Sequence, residues 1–258
     1  MEQSYELTPV DGLENVFYIP NFVTTHEEDY IIRKIQESAQ PLWKELPNRR
    51  LQIWGIGGDM TSKGILIPQP LPSFINKFPD IVSRIKATGI FNSSPHKGPN
   101  HVIMNEYLPG QGIMPHEDGP RYYPVVATLS LGSHAVFHYY RYEEDNEHRD
   151  SAVGLGNGKT IDMTPISSVL LEPRSLIISS GTMYTSHLHG IEAVEEDIIS
   201  SDTSASGTAL SNLSLLQDDQ IKKSILHGKP LKRATRYSLT CRDVTRVSSS
   251  KLNILHRH

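Results

Sequence analysis

HVIMNEYLP (101–109), PVVATLSLG (124–132), HAVFHYYR (134–141), SSVLLEPRSLIISS (167–180), LHGIEAV (188–194) and RYSLTCRDV (236–244) are the stretches that decide the fold. Each is β-branched or aromatic and bounded by Gly, Pro or polar turn residues, the signature of short strands. Six such runs with no helical stretch alternating between them argue against a parallel α/β sheet and for two packed antiparallel sheets. The chain ahead of them is mixed. VFYIP (16–20) reads as a strand, and Thr25-His-Glu-Glu28 matches a capping box. Ile31, Ile32, Ile35, Ala39 and Leu42 recur behind it at helical spacing. A second helical stretch begins after Pro72, with Phe74, Ile75, Phe78, Val82 and Ile85 apolar and Pro79 placed to restart it. Between the helices, PNRRLQIWGIGGDMTSKGILIPQPLP is too long for a mere connection and predicts a functional loop or hairpin.

This gives three parts: 1–98 with the N-terminal helices, 99–246 as the β core, and 247–258 as a tail. Two polar insertions break the core, at 142–160 and 195–230, and the Ser-rich, acidic stretch 195–219 is expected to be mobile. The chain of 258 residues carries a net charge of −4, so any nucleic-acid contact must use a local basic patch. A single cysteine, Cys241, excludes an intrachain disulfide and a cysteine-based zinc site. Neither a long apolar run nor a signal-like start is present, and a soluble protein of a reducing compartment, with no membrane association, is expected.

Three motifs could carry chemistry. In His116-Glu-Asp118 an extended backbone points residues i and i+2 the same way, so an imidazole and a carboxylate can meet one ion. With a distant histidine they would form a 2-His-1-carboxylate iron site. One His-x-Asp triplet among 12 histidines carries little weight alone. SHLHGI offers His187 and His189, which a strand would place on one face, and His227 is a rival third ligand. Arg236 and Arg242 are six apart on one strand and share a face, where a guanidinium is costly unless it meets an anion. GLGNGKT (154–160) is one residue too short for a phosphate-binding loop and precedes no helix start. The sequons at Asn92 and Asn212 are discounted for want of a secretion signal.

The order NEYLPG, HED, LHGI, RYSLTCR resembles the AlkB family of iron- and 2-oxoglutarate-dependent dioxygenases, over most of residues 15–245. NRRLQIWG, FINKFPDI and LSLGSHAVFHYY resemble most the branch of the sixth AlkB homologue. The resemblance implies an α+β double-stranded β-helix, or jelly roll, with supporting N-terminal helices. It makes His116, Asp118 and His189 the iron ligands, His189 because it directly precedes Gly-Ile. It makes Asn105, Tyr107, Arg236, Ser238 and Arg242 the residues that hold 2-oxoglutarate. Arg236 follows His189 by 47 residues, more than in compact members, which the Ser-rich insertion would account for.

The implied reaction is hydroxylation of an N-methyl group on a nucleobase by Fe(II), 2-oxoglutarate and dioxygen, with succinate, carbon dioxide and formaldehyde as products. The implied partner is single-stranded nucleic acid, RNA ahead of DNA, met by a monomer in the cytoplasm and nucleus. Residues 47–70 occupy the place of a nucleotide-recognition lid. There Arg49 and Arg50 would meet phosphates, Gln52 a base edge and Trp54 a stacked base, with Gly55, Gly57 and Gly58 permitting movement. Two rival functions are a protein or small-molecule hydroxylase with the same cofactors, and a nucleic-acid binding module with little turnover.

Overall fold

The computed structural model describes residues 5–55, 70–143, 159–200 and 208–247. Strands β1 (Thr8–Pro9) and β2 (Val16–Ile19) lead to helix α1 (Thr25–Gln36). A hairpin of β3 (Lys44–Leu46) and β4 (Arg49–Trp54) follows, then short helices α2 (Ser73–Asn76) and α3 (Ile81–Ala87). Pro79 does separate the two helices. The capping box of α1 starts one residue earlier than the sequence reading placed it. Glu27 N–H donates to Thr24 Oγ1 at 3.2 Å, and Thr24 N–H donates to Glu27 Oε2 at 2.8 Å. Both Thr-x-x-Glu pairs satisfy the spacing, but Glu28 is taken elsewhere, by Arg174 and by the Gly132 N–H. Helix α1 ends at Gln36, and Pro41 lies beyond it in a short 3-10 turn. Leu42, expected on the helix face, is therefore 57% exposed.

The core strands are β5 (His101–Tyr107), β6 (Ile113–His116), β7 (Tyr122–Leu131), β8 (Ala135–Tyr142), β9 (Ile161–Leu171), β10 (Leu176–Ser180) and β11 (Leu188–Ile191), with helix α4 (Gly181–Thr185) between the last two. After β12 (Glu196–Asp197), helix α5 (Asp219–Leu226) and β13 (Leu231–Lys232), the chain returns as β14 (Arg236–Val244). One sheet runs β1-β2-β10-β7-β14-β5-β4-β3 and the facing sheet β6-β11-β8-β9. The chain crosses repeatedly between the two, and all their pairings are antiparallel. This is the jelly roll the strand pattern called for. β4 pairs directly with β5, so the larger sheet is continuous across residue 98.

Strand alternation divides the larger sheet into two faces. Met104 on β5, Leu129 on β7, and Leu239 and Cys241 on β14 pack against Ile31, Ile35, Ile81 and Ile85 of the helices. Asn105, Thr128, Arg236, Ser238 and Arg242, one residue out of step, face the smaller sheet across a cavity. None of the described helices is long and apolar enough to cross a membrane.

The insertion departs from expectation. Wherever 195–219 is described, it is built onto the smaller sheet rather than loose. Asn212 is fully buried; its Oδ1 accepts from Leu170 N–H at 2.9 Å and its Nδ2 donates to Leu170 O at 2.8 Å. Asp218 caps α5, whose Ile221 and Ile225 join Val136, Leu170 and Leu231 in the second core cluster. Residues 201–207 of this stretch lie outside the described residues, as do 144–158 of the other insertion, which hold most of GLGNGKT. Asn212→Ala leaves Leu170's backbone groups without their partner and should cost about 2 kcal/mol in chemical denaturation. An unchanged midpoint would mean the insertion does not support the sheet.

Candidate active site

His116 ends β6 and His189 lies in β11, and the two are direct cross-strand partners. Their ring centroids are 4.4 Å apart. Gly190 makes this approach possible. A Cβ there would meet Ile113 O and Pro115 N at 3.0 Å each, forcing β6 away from β11. Asp118, two residues past the strand end, completes the set. One ligand atom from each of the three lies within 4.8 Å of the others, and among the described residues this is the one such cluster of metal-ligating groups.

The surroundings fix each donor. His116 Nδ1 lies 2.9 Å from Met114 O, which can only accept, so Nδ1 carries the proton and Nε2 keeps its lone pair. His189 stacks on Phe137 at 5.2 Å and 18°. Burial pushes His189 down to about 3 and lowers His116 as well, so both imidazoles are neutral at pH 7 and free to donate a lone pair. Burial by itself would raise Asp118, but Arg242 and His189 outweigh it and hold the carboxyl below its ordinary value. Arg242 Nη2 donates to Asp118 Oδ1, while Asp118 Oδ2 is buried with no protein partner. Two imidazoles, an anionic carboxylate and an orphaned carboxylate oxygen suit Fe(II).

Arg236 supplies the second unusual feature. It is 4% exposed, and its Nη2 donates to Ser130 Oγ at 2.8 Å. Its Nε has no partner, and no carboxylate among the described residues pairs with it. Burial lowers its guanidinium to about 10, still charged at neutral pH. Such a cation is costly unless an anion arrives. Asn105, Tyr107, Ser238 and Arg242 line the same cavity, and Asn105 Nδ2 donates to Ser238 Oγ at 3.4 Å. The site therefore fits a small dicarboxylate beside the metal.

The other histidines are elsewhere. His187 precedes β11 and is held by Thr182 O at 3.0 Å; His227 is exposed at the end of α5, held by Lys223 O. Neither lines the cavity.

Three of the four residues assigned to base and phosphate capture face the wrong way. Residues 49–54 form a strand of the larger sheet, not a lid, and only Arg49 and Leu51 turn to the cavity. Arg50 makes a two-pronged ion pair with Glu106 at 2.6 and 2.9 Å and lies over Trp43. Gln52 is 1% exposed, and Trp54 packs edge-on against Phe74 while donating to Gln52 Oε1 at 3.0 Å. Trp54 is a core residue and cannot stack on a base. Gly57 and Gly58 lie outside the described residues. Trp54→Phe should lower stability by about 1 kcal/mol through the lost indole bond, with 2-oxoglutarate affinity unchanged in the same preparation. A changed cosubstrate affinity would contradict this placement.

Phe137, Ser130 and Tyr122, which stacks on Arg242, were not foreseen. Ser130 had a signal: in ATLSL, Thr128 and Ser130 alternate with buried apolar residues, marking a polar face on a core strand.

Comparison with known proteins agrees with this geometry. The model of the 2OG-Fe(II) oxygenase superfamily matches residues 15–242. The "Probable RNA/DNA demethylase ALKBH6" of Danio rerio is 35% identical over 240 residues, covering 92% of this chain and 88% of that one. "Uncharacterized protein L905" of Acanthamoeba polyphaga mimivirus is 25% identical, covering 99% and 97%. Among solved structures, that of OsALKBH1 superposes with a TM-score of 0.52 at 16% identity, over 91% of this chain and all of that one, a likeness of fold.

Proposed function

Because the chain belongs to the AlkB family within the 2OG-Fe(II) oxygenase superfamily and uses Fe(II) and 2-oxoglutarate, we propose that it removes N-methyl groups from nucleobases oxidatively. The observation that carries the reading is the convergence of His116, Asp118 and His189 with the unpaired Arg236 on one cavity. The Danio rerio relative, named as an RNA/DNA demethylase, supports the substrate class.

His116 Nε2, His189 and Asp118 would hold the metal. Arg242 keeps Asp118 anionic and aimed, and Phe137 fixes the His189 ring. Arg236, steadied by Ser130, would take the distal carboxylate of 2-oxoglutarate through its guanidinium. Asn105, Tyr107 and Ser238 border the same anion. Leu51, Ile103, Ile113 and Ile191 supply apolar wall that limits water at the reacting centre. When bound, iron, 2-oxoglutarate and dioxygen would supply the oxidant that hydroxylates the methyl carbon, with 2-oxoglutarate leaving as succinate and carbon dioxide and the methyl carbon as formaldehyde. A methyl group reaches so recessed a site only if its base leaves the stack, which favours single-stranded RNA or DNA as substrate.

The test is nucleoside mass spectrometry of a panel of N-methylated RNA and DNA oligonucleotides incubated with the loaded enzyme. Loss of 14 mass units from one methylated base, about one CH2, is the expected result. Turnover of 2-oxoglutarate with an unchanged panel would point to a protein or small-molecule hydroxylase.

A further inference from the structure

Most described arginines that are buried or half-buried meet a carboxylate: Arg50 meets Glu106, Arg84 Glu27, Arg174 Glu28, Arg233 Asp197 and Arg242 Asp118. Arg236 and Arg49 do not. Arg236 is accounted for by the distal carboxylate of 2-oxoglutarate. Arg49 is not accounted for. It lines the active-site cavity, half-buried, and its hydrogen bond runs from Nε to the neutral Asn105 Oδ1 at 3.1 Å. That geometry braces the planar guanidinium at one corner and leaves the terminal fork available. Arg50, the next residue on the strand, shows the alternative, with Glu106 across it and Trp43 beneath.

The charges of the cavity give a second, independent count. Its wall carries three guanidiniums, Arg49, Arg236 and Arg242, against two carboxylates, Glu117 and Asp118. Asp118 is engaged by Arg242, and Glu117 accepts from the Tyr142 hydroxyl at 2.9 Å. A divalent iron and a 2-oxoglutarate dianion cancel each other, so the loaded site keeps one surplus positive charge.

We propose that Arg49 is a receptor for an anionic oxygen group on the substrate, so that the enzyme selects substrates bearing a negative charge beside the reacting methyl. The chemistry is that of a phosphate or a carboxylate: a nucleotide's own phosphate, or an acidic substituent on the base. The inference rests on the nucleobase reading above and narrows it. A charge-assisted fork of this type is worth about 10- to 150-fold in binding. Lysine keeps the charge but not the fork.

Binding is measured on the full chain loaded with Mn(II) and 2-oxoglutarate without oxygen, by calorimetry. The probes are inorganic phosphate, N1-methyladenosine and its 5′-monophosphate, and uridine against 5-carboxymethyluridine. Wild type should bind at least one charged nucleoside about tenfold or more tighter than its neutral counterpart. Arg49→Gln should erase that margin, and Arg49→Lys should restore only part of it, with 2-oxoglutarate affinity and melting temperature unchanged in both. A margin on the monophosphate places the anion on the backbone, and one on carboxymethyluridine places it on the base. Phosphate bound through Arg49 while no nucleoside binds would keep the anion site and remove the nucleobase reading. The proposal fails if wild type shows no margin, if the margin survives in Arg49→Gln, or if that variant loses 2-oxoglutarate affinity instead.

Discussion

His116→Ala, Asp118→Asn and His189→Ala are each expected to take 2-oxoglutarate turnover to background and to weaken Mn(II) binding by at least about 100-fold. Loss of an outer-shell partner alone typically costs 10–100-fold, and these three are the proposed donors themselves. The three variants should differ in stability. His116 is partly exposed, so its removal leaves the jelly roll intact. His189 is packed on Phe137 and opens a cavity when truncated. Asparagine is the informative change at 118, because alanine would strand the buried Arg242 without its partner, at about 3–5 kcal/mol. His187→Ala and His227→Ala are the controls. Metal titration followed by electron paramagnetic resonance checks the set, and retained Mn(II) binding in His189→Ala with loss in His227→Ala would overturn the ligand assignment.

Arg236→Ala should raise the dissociation constant for 2-oxoglutarate by about 10- to 150-fold, the worth of a charge-assisted hydrogen bond at 1.5–3 kcal/mol. Arg236→Lys should not restore it, since an ammonium cannot present two parallel donors. The stability effect has the opposite sign from the usual loss of a buried arginine. Arg236 pairs with no carboxylate among the described residues and carries an unpartnered Nε, so the protein free of cosubstrate bears its desolvation without an ion pair in return. Arg236→Met, of similar length and apolar, should therefore melt no lower than wild type without 2-oxoglutarate, yet gain little stability when it is added. Tight 2-oxoglutarate binding by Arg236→Met would remove Arg236 from the site.

The faces of the long strands were legible in the sequence because period-2 alternation is strong where one face is packed by helices. In RYSLTCR, Tyr237, Leu239 and Cys241 go one way and Arg236, Ser238 and Arg242 the other. His116 follows from the same rule, whereas Asp118 lies beyond the end of β6, where Glu117 also borders the cavity. The identity of the third donor did not follow from it, since LHGI and LHGKP are equivalent until the β6–β11 register is known. RRLQIW was misread for a related reason. Taken as a loop it has no parity, and its aromatic and basic residues look available. Paired with β5, its even-numbered positions turn to the helices, which buries Gln52 and Trp54 and commits Arg50 to Glu106. The Ser-rich insertion misled through composition. Mean polarity says nothing of one asparagine that closes two backbone bonds, or of Leu216, Ile221 and Ile225 reaching back to the sheet.

Coupling of 2-oxoglutarate oxidation to removal of a nucleobase methyl can be measured in one reaction. Its most direct test measures succinate and formaldehyde together, by mass spectrometry, during turnover of a single N-methylated oligonucleotide. One formaldehyde and one unmethylated base are expected for each substrate-dependent succinate, all three lost in Arg236→Ala at low 2-oxoglutarate. Succinate formed with a stable hydroxylated product and no formaldehyde would contradict it.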